Sequence, residues 1–318
     1  MTLNRVLLTL GILAFSACAC AQPYPVRPIT LLVPYTPGTG IDIIARVVGP
    51  KLAERWGQPV VVENKPGASG NIGAGLVAKA PADGYTMMVT VNTFTITPAL
   101  FASLPYDPVK DFAVTGEVAR GNLALVSHPS LQVKNLQQLA AAAKAQKLSY
   151  ASPGNGTPQH LAMEVLKQRL GMDILHVPYK GSAQAVADLL GGQVQLMVLP
   201  VHTALPQAKS GKLNLIGVSG EKRSPLAPDA PSFAELGVQN LDIDLYYWIA
   251  GPAGLPREIV QKWNREVAAV LSLPEVRDAL LKQGMVPVSG TPEEAERTIA
   301  NDIGRWKKFI AQTGIKAD

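Results

Sequence analysis

Cysteine is nearly absent from this sequence. The 318 residues include two cysteines, Cys18 and Cys20, and both lie close to the N-terminus. Once that segment is removed, the remaining chain has no thiol. Disulfide bonds, cysteine metal sites and thiolate catalysis are then excluded.

Long apolar runs are lacking after residue 22. Glycine, proline and charged residues interrupt every apolar stretch there, and none approaches the roughly 20 consecutive apolar residues of a membrane-spanning helix. At the N-terminus, by contrast, Arg5 precedes the apolar residues 6–15 and a group of small residues. This order is typical of a secretory signal peptide. We expect cleavage before Gln22, which makes residues 1–21 the signal peptide and predicts a periplasmic protein.

The residues around Cys18 leave a second interpretation of the N-terminus open. Residues 15–18 loosely resemble a lipobox, with Phe15 in place of the usual aliphatic residue. Cleavage at that point would give a lipoprotein anchored through Cys18.

A strong charge of either sign is missing as well. The chain has 29 basic and 24 acidic residues, a formal net charge of +5. The basic residues occur singly or in pairs such as Lys307 and Lys308, without the basic runs interleaved with aromatic residues that bind nucleic acids. We expect no nucleic-acid partner.

Metal and cofactor motifs are also absent. The four histidines, His128, His160, His176 and His202, do not show the spacing of metal ligands. The glycine-rich segments match neither a P-loop nor a dinucleotide fingerprint. We therefore expect no metal and no cofactor, and neither ATP nor NAD as ligand.

What the sequence does contain is a regular alternation of short apolar strands and helices. The predicted strands are residues 29–33, 60–62, 85–91, 148–151, 174–177, 196–199 and 213–219. The predicted helices are residues 41–56, 71–79, 136–145, 158–170, 183–190, 257–271, 275–283 and 292–312. This order predicts an α/β fold with a mostly parallel sheet and helices on both faces. The length suffices for two domains, which extended segments at 122–126 and 244–249 would join.

Two glycine-rich turns each connect a predicted strand to a predicted helix. The first is PYTPGTGID, residues 34–42, and the second is SPGNGTP, residues 152–158. Free backbone N–H groups at such helix N-termini point towards an anion. Most turns of this kind only redirect the chain, so either one alone is a weak indication of function.

More specific motifs extend over almost the whole mature chain. In the first turn, Pro34, Tyr35, Pro37, Gly38 and Asp42 match a Pro-aromatic-x-Pro-Gly-Gly-x-x-Asp pattern, with Thr39 replacing the second glycine. The other motifs are ENKPGASGNIGA from Glu63, ADGYT from Ala82, SPGNGTPQHL from Ser152, VPYKGS from Val177 and DLLGGQVQL from Asp188. Together these segments resemble the tripartite tricarboxylate transporter receptors, the Bug family.

That resemblance implies a type II periplasmic binding protein, in which two α/β lobes joined by extended crossovers close on a ligand in the cleft between them. We expect residues 22–124 and 246–318 to form lobe 1 and residues 125–245 to form lobe 2. The implied ligand is a small carboxylate, held by backbone amides and ordered waters of the two turns. The implied partners are the membrane permease subunits of the transporter. The protein is then a monomeric receptor and not an enzyme.

We predict ligand-binding residues in the two turns, at the end of one strand and in an aromatic segment. The candidates are Tyr35, Thr36, Gly38, Thr39, Gly40, Ile41, Asp42, Ser152, Gly154, Asn155, Gly156, Thr157, His160, Tyr179, Lys180 and Tyr247.

Several of these residues allow two roles. Asp42 either orients a bound water or ligand amine, or caps the following helix. His160 either donates to a carboxylate or braces its loop, and bracing is favoured. Lys180 either pairs with a second carboxylate or is an ordinary surface lysine. Because side chains alternate along a strand, residues 246–248 cannot all face the cleft.

Three questions about function stay open at this point. The receptor could signal to a protein partner instead of feeding a permease. A hydrolase that uses Ser152 and His160 is disfavoured because the sequence around Ser152 lacks the Gly-x-Ser-x-Gly elbow. The ligand is undecided among tricarboxylates, dicarboxylates, acidic amino acids and aromatic carboxylates.

Overall fold

The structure is a computed structural model, and it describes residues 24–101, 103–239 and 243–315. The predicted signal peptide, its cleavage site and the alternative anchor at Cys18 lie outside these residues.

The described residues contain eleven strands and ten helices longer than one turn. The strands are β1 (Ile29–Val33), β2 (Val60–Asn64), β3 (Thr86–Val91), β4 (Phe112–Gly121), β5 (Leu123–Ser127), β6 (Leu148–Ser152), β7 (Ile174–Pro178), β8 (Leu196–Pro200), β9 (Asn214–Val218), β10 (Leu245–Pro252) and β11 (Met285–Pro287). The helices are α1 (Gly40–Trp56), α2 (Asn71–Ala78), α3 (Thr93–Leu100), α4 (Leu136–Ala145), α5 (Pro158–Leu170), α6 (Ser182–Leu190), α7 (Val201–Lys209), α8 (Arg257–Leu271), α9 (Pro274–Lys282) and α10 (Pro292–Thr313).

The strands form two separate sheets, each the centre of one lobe. The first has the order β11-β4-β10-β3-β1-β2, and the second has the order β7-β6-β8-β5-β9. In the first sheet, β1 is buried along almost its whole length, and the apolar face of α1, with Ile44, Val48 and Leu52, packs in the same core. The predicted two-lobed α/β architecture is confirmed.

The expectation of a mostly parallel sheet is wrong. Four strand pairings within the described residues are parallel, and five are antiparallel. The reason is the path of the chain between the lobes. Strand β10 returns from the second sheet and runs antiparallel between β3 and β4, while β5 runs antiparallel between β8 and β9.

Most predicted elements are present, and three helices, residues 136–145, 158–170 and 257–271, have the predicted bounds. Six elements were missed: α3, α7, β4, β11, and β5 and β10 as paired strands. Helix α3 has the sequence TFTITPAL, whose β-branched residues and Pro98 are poor helix formers. Its buried side chains in the first lobe outweigh that local preference.

The chain crosses between the two sheets at Asn122 and just before β10. The Nδ2 of Asn122 lies 3.2 Å from each carboxylate oxygen of Asp244, and the hydroxyl of Ser219 also donates to Asp244. The two crossovers are thus tied to each other by side-chain hydrogen bonds. They lie within the two predicted crossover segments.

Within the part of the chain that the structure describes, no helix combines the length and apolar character needed to cross a membrane.

Candidate functional site

A cavity of about 640 Å³, including its opening to solvent, lies between the two lobes. Its position follows from the sheets: β1 and β3 are parallel neighbours in one lobe, and β6 and β8 in the other. The helices that follow these strands therefore begin at the same edge of each sheet, where α/β proteins bind ligands. The lining residues are Tyr35, Gly38, Thr39, Gly40, Ile41, Val91, Thr93, Pro153, Thr157, Pro158, Gln159, Ser182, Leu199, Pro200, His202, Thr203, Leu245 and Tyr247.

The first backbone amides of α1 are not capped by any side chain of the protein. Thr39 is the N-cap residue, but its hydroxyl donates to the carbonyl of Thr36 at 3.0 Å and does not cap the helix. The N–H groups of Gly40 and Ile41 lie in the first turn, where a helix offers no acceptor. The positive end of the α1 dipole therefore faces the cavity.

Tyr247 brings a hydroxyl to the same point. Its side chain is 2% exposed, and a Cβ added to Gly40 would lie 2.6 Å from its hydroxyl oxygen. Burial raises the pKa of this phenol, which keeps it protonated and able to donate. No hydrogen bond to the hydroxyl is found among the described residues. A buried donor next to free helix amides is suited to an anion.

The neighbouring aromatic residues have other roles. Tyr246 stacks on Trp248 with 6.1 Å between ring centroids, and Trp248 is fully buried in the core. Of residues 246–248, Tyr247 is the one that lines the cavity. Tyr35 also lines it, and its hydroxyl donates to the carbonyl of Ser69 at 2.7 Å.

The second glycine-rich turn differs from the expected row of free amides. The Gly154 N–H donates to Ser152 Oγ at 3.2 Å, and the Gly156 N–H donates to His160 Nδ1 at 3.1 Å. The Thr157 N–H donates to the Gly154 carbonyl at 3.4 Å. These three amides are satisfied within the protein and do not point into the cavity.

His160 braces this turn, as favoured from the sequence. Its Nδ1 accepts from Gly156, and its ring stacks on His176 at 4.2 Å between centroids. Burial, with the neighbouring His176 and Lys167, lowers the pKa of His160 to about 3, so that the ring is neutral. The hypothetical hydrolase pair is not formed, because Ser152 Oγ is paired with His176 Nε2 at 2.7 Å instead.

Asp42 does not line the cavity, but its hydrogen bonds stabilise the first glycine-rich turn. Although burial alone would raise its pKa, hydrogen bonds from Arg46, Gly38 and Asn64 hold the pKa of this carboxyl below its ordinary value. The bond from the Gly38 N–H measures 2.9 Å. Asp42 therefore fixes the conformation of the turn, and Thr39 occupies the N-cap position.

Other predicted site residues do not line the cavity. They are Thr36, Asp42, Ser152, Gly154, Asn155, Gly156, His160, Tyr179 and Lys180. The Tyr179 hydroxyl donates to Asp188 at 2.7 Å, and Lys180 is exposed. The seven predicted residues that do line it are Tyr35, Gly38, Thr39, Gly40, Ile41, Thr157 and Tyr247.

The cavity residues missed from the sequence mostly follow other strands of the two sheets. Thr93 follows β3, Ser182 follows β7, and His202 and Thr203 follow β8. All of these strands had been predicted, and parallel strands end at one edge. Applying that rule to every strand-to-helix junction, not only the glycine-rich ones, would have found them.

Direct contacts outside the cavity lining also join the two lobes. Ser69 Oγ, in the turn before α2, donates to the Asn155 carbonyl at 2.8 Å. A Cβ added to Gly156 would lie 2.9 Å from Leu100 Cδ1, on the opposite lobe. The absence of a side chain at Gly156 thus allows the lobes to approach closely.

The side chains that line the cavity carry no charge at neutral pH. Among the lining residues there is no Asp, Glu, Lys or Arg. Burial lowers the pKa of His202 to about 4, which leaves its imidazole uncharged at neutral pH. Within the described residues, no group of three or more His, Cys, Asp or Glu side chains is arranged to hold a metal ion.

Comparisons with known proteins identify relatives of this chain. Residues 44–315 match a family described as "Tripartite tricarboxylate transporter family receptor". The periplasmic binding protein BugD has 30% sequence identity and a TM-score of 0.87, over 92% of this chain and 99% of that chain.

Two further solved structures contain carboxylates. An R. palustris protein solved with adipate is 34% identical with a TM-score of 0.87, over 92% of this chain and 99% of that chain. MatC from Rhodopseudomonas palustris, with bound malate, is 29% identical with a TM-score of 0.84, over 90% of this chain and 99% of that chain.

Proposed function

Because the chain belongs to the tripartite tricarboxylate transporter receptor family, we propose that it is an exported periplasmic receptor that binds a small carboxylate between its two lobes and delivers it to the permease subunits of such a transporter. Residues 22–124 and 246–318 form lobe 1 in this proposal, and residues 125–245 form lobe 2. The receptor acts as a monomer.

The observation that carries the proposal is the pairing of Tyr247 with the start of α1. A buried phenol without a protein partner lies beside Gly40, where uncapped helix amides face the cavity. A carboxylate oxygen supplies the missing acceptor, and the helix dipole favours its negative charge. No acidic side chain in the lining opposes that charge.

The relatives support the same class of ligand. One solved neighbour contains adipate and another contains malate. Both ligands are organic acids, and both proteins share the fold of this chain over nearly their full lengths. Ligand contacts to both lobes favour the closed arrangement, which is the form a membrane partner would recognise.

Thermal unfolding of the mature protein tests the proposal. The protein, without residues 1–21, is first unfolded and refolded to remove any bound ligand. It is then melted with carboxylates of different size, including citrate, succinate, adipate, glutamate and benzoate, and with the matching amides as uncharged controls. At about one hundred times its dissociation constant, a ligand stabilises the protein by roughly 2.7 kcal/mol, or several degrees.

We expect at least one acid to raise the melting temperature and its amide to leave it unchanged. Equal effects of acid and amide, or no effect of any acid, would reject the carboxylate receptor. Pull-down of solubilised permease subunits by the ligand-bound protein then separates a transport receptor from one that signals to a different partner.

A further inference from the structure

Thr93 brings to the cavity a hydroxyl group that the proposed carboxylate contact does not use. The residue lines the cavity where β3 ends and α3 begins, and it is 3% exposed. Its Oγ1 is buried without a hydrogen-bond partner among the described residues. A buried hydroxyl that lacks a partner costs free energy. A ligand group that pairs with Thr93 would therefore be bound selectively.

Thr93 belongs to the same wall of the cavity as Tyr247. In the pairing of β10 with β3, Tyr247 lies opposite Val91, and the Asn92 N–H donates to the Tyr246 carbonyl at 3.1 Å. Thr93 is the next residue of the chain, and it lines the cavity together with Val91 and Tyr247. Its hydroxyl therefore lies on the lobe 1 side, where the carboxylate is bound in the proposed receptor.

The neighbouring phenol of Tyr35 cannot donate a hydrogen bond to Thr93. Burial raises the pKa of Tyr35, and the Thr93 hydroxyl opposes part of that rise, which is the effect of a donor directed at the phenol oxygen. Tyr35 has a single hydroxyl proton, and it donates that proton to the Ser69 carbonyl at 2.7 Å. The lone pairs of Thr93 Oγ1 therefore need a donor from the ligand.

The chemistry of the lining selects which donor this is. A carboxylate cannot donate, because ionised carboxyl oxygens only accept. An ammonium group can donate, but the lining contains no Asp or Glu to pair with its charge. The N-cap residue of α3, Asn92, makes no side-chain cap bond, so the positive ends of both α1 and α3 disfavour a cation here. A hydroxyl group donates without adding charge.

We propose that Thr93 is a specificity-determining residue that accepts a hydrogen bond from a hydroxyl group of the ligand. The receptor then prefers a hydroxy acid to the plain acid and to the amino acid of the same carbon skeleton. This inference rests on the proposed carboxylate receptor and specifies its ligand class.

Calorimetric titration of the refolded protein at pH 7.5 tests this preference with sets of three acids that share a skeleton. The sets are propionate, lactate and alanine; succinate, malate and aspartate; adipate, 2-hydroxyadipate and 2-aminoadipate; and phenylacetate, mandelate and phenylglycine, with both enantiomers of each chiral acid. In every set that binds, we expect one enantiomer of the hydroxy acid to bind about fivefold more tightly than the plain acid. The amino acid should bind more weakly than either.

Substitutions in α3 assign the preference to Thr93. Thr93→Val keeps the shape of the side chain and removes the hydroxyl, so the hydroxy acid should bind about fivefold more weakly and the plain acid as before. Thr93→Ser restores the hydroxyl and should restore the preference. Thr97→Val is the matched control, because Thr97 Oγ1 is also buried without a partner among the described residues but does not line the cavity. Its preference should equal that of the original protein.

Equal affinities for the hydroxy acid and the plain acid in every binding set, or tighter binding of the amino acid, would overturn this inference and leave the carboxylate receptor intact. An equal loss of both acids in Thr93→Val would also overturn it, since Thr93 would then contact the carboxylate itself. If no acid of any set bound, the carboxylate receptor would fail, and this inference with it.

Discussion

At the residue scale, Tyr247 is the side chain on which ligand binding depends most. Its position on β10 places it next to both β3 and β4, and its hydroxyl reaches the first turn of α1. The sequence analysis names Tyr247 as a candidate and expects at least one of residues 246–248 in the cleft, but the sequence alone does not decide among the three. The choice depends on the pairing of β10 within the sheet, and that pairing joins strands far apart in sequence.

Replacing Tyr247 with Phe removes the hydroxyl and keeps the ring. A hydrogen bond to a charged group contributes about 1.5–3 kcal/mol, so the dissociation constant should rise at least tenfold. The melting temperature of the free protein should stay within about 1 °C, because the hydroxyl has no protein partner to lose. Calorimetric titration and thermal melts measure both, with Tyr246→Phe as the control. An unchanged affinity would place the carboxylate elsewhere.

Because His160 is buried and neutral in the folded protein, we expect the protein to lose stability in mild acid. Its folded pKa is about 3, whereas the unfolded chain takes up a proton near the ordinary histidine value of about 6.5. The unfolded state therefore binds more protons between these values, and the free energy of unfolding falls as the pH drops from 6.5 towards 3.

Denaturant unfolding at a series of pH values measures this loss. His160→Asn keeps an acceptor for the Gly156 N–H but does not titrate, so its stability should change less over the same range. If the variant and the original protein showed identical pH dependence, His160 would not be the group responsible.

At the scale of elements, the N-terminal turns of the helices contribute more to the site than the remaining parts of the helices and strands. The sequence predicted most strands and helices because apolar periodicity is a local property. The sequence analysis predicted free amides in the second glycine-rich turn, and this was wrong. Their acceptors, Ser152 Oγ and His160 Nδ1, are brought to the amides only by the three-dimensional arrangement of the turn. Glycines alone do not reveal whether an amide is free.

Because the N-terminus of α1 is uncapped, we expect a substitution that caps it to stabilise the fold and to weaken ligand binding. Thr39 has the extended backbone of an N-cap residue, with φ −76° and ψ 161°. An aspartate there would cap the amides and stabilise the protein by about 1 kcal/mol, but its charge would repel a carboxylate. We expect Thr39→Asp to raise the melting temperature and to weaken binding at least tenfold.

Thr39→Asn separates the two causes, because asparagine caps the helix without adding charge. Its stability should resemble that of Thr39→Asp, and its loss of affinity should be smaller. Equal affinity of the aspartate variant and the original protein would show that α1 does not bind the anion.

At the scale of the whole molecule, the hydrogen bond between Ser69 and Asn155 joins the two lobes. Ser69→Ala removes its hydrogen bond, which contributes about 0.5–1.5 kcal/mol. The closed form should become less populated, with a larger radius of gyration for the free protein in X-ray scattering and an affinity reduced about two- to tenfold.

Ser272→Ala is the control for this change. Its hydroxyl makes a similar bond, 2.8 Å to the Ala268 carbonyl, but entirely within lobe 1. A radius and affinity unchanged in Ser69→Ala would show that the contact does not hold the lobes together.

The placement of β10 determines the order in which the molecule can be assembled. The second sheet uses strands that follow one another between Leu123 and Val218, so it can form as soon as that stretch is available. The first sheet lacks the strand between β3 and β4 until residues 245–252 have emerged. Until then, both flanking strands have unpaired edges, which are prone to aggregation. A chain emerging N-terminus first therefore completes its first lobe last, and the two strand edges are exposed throughout this interval.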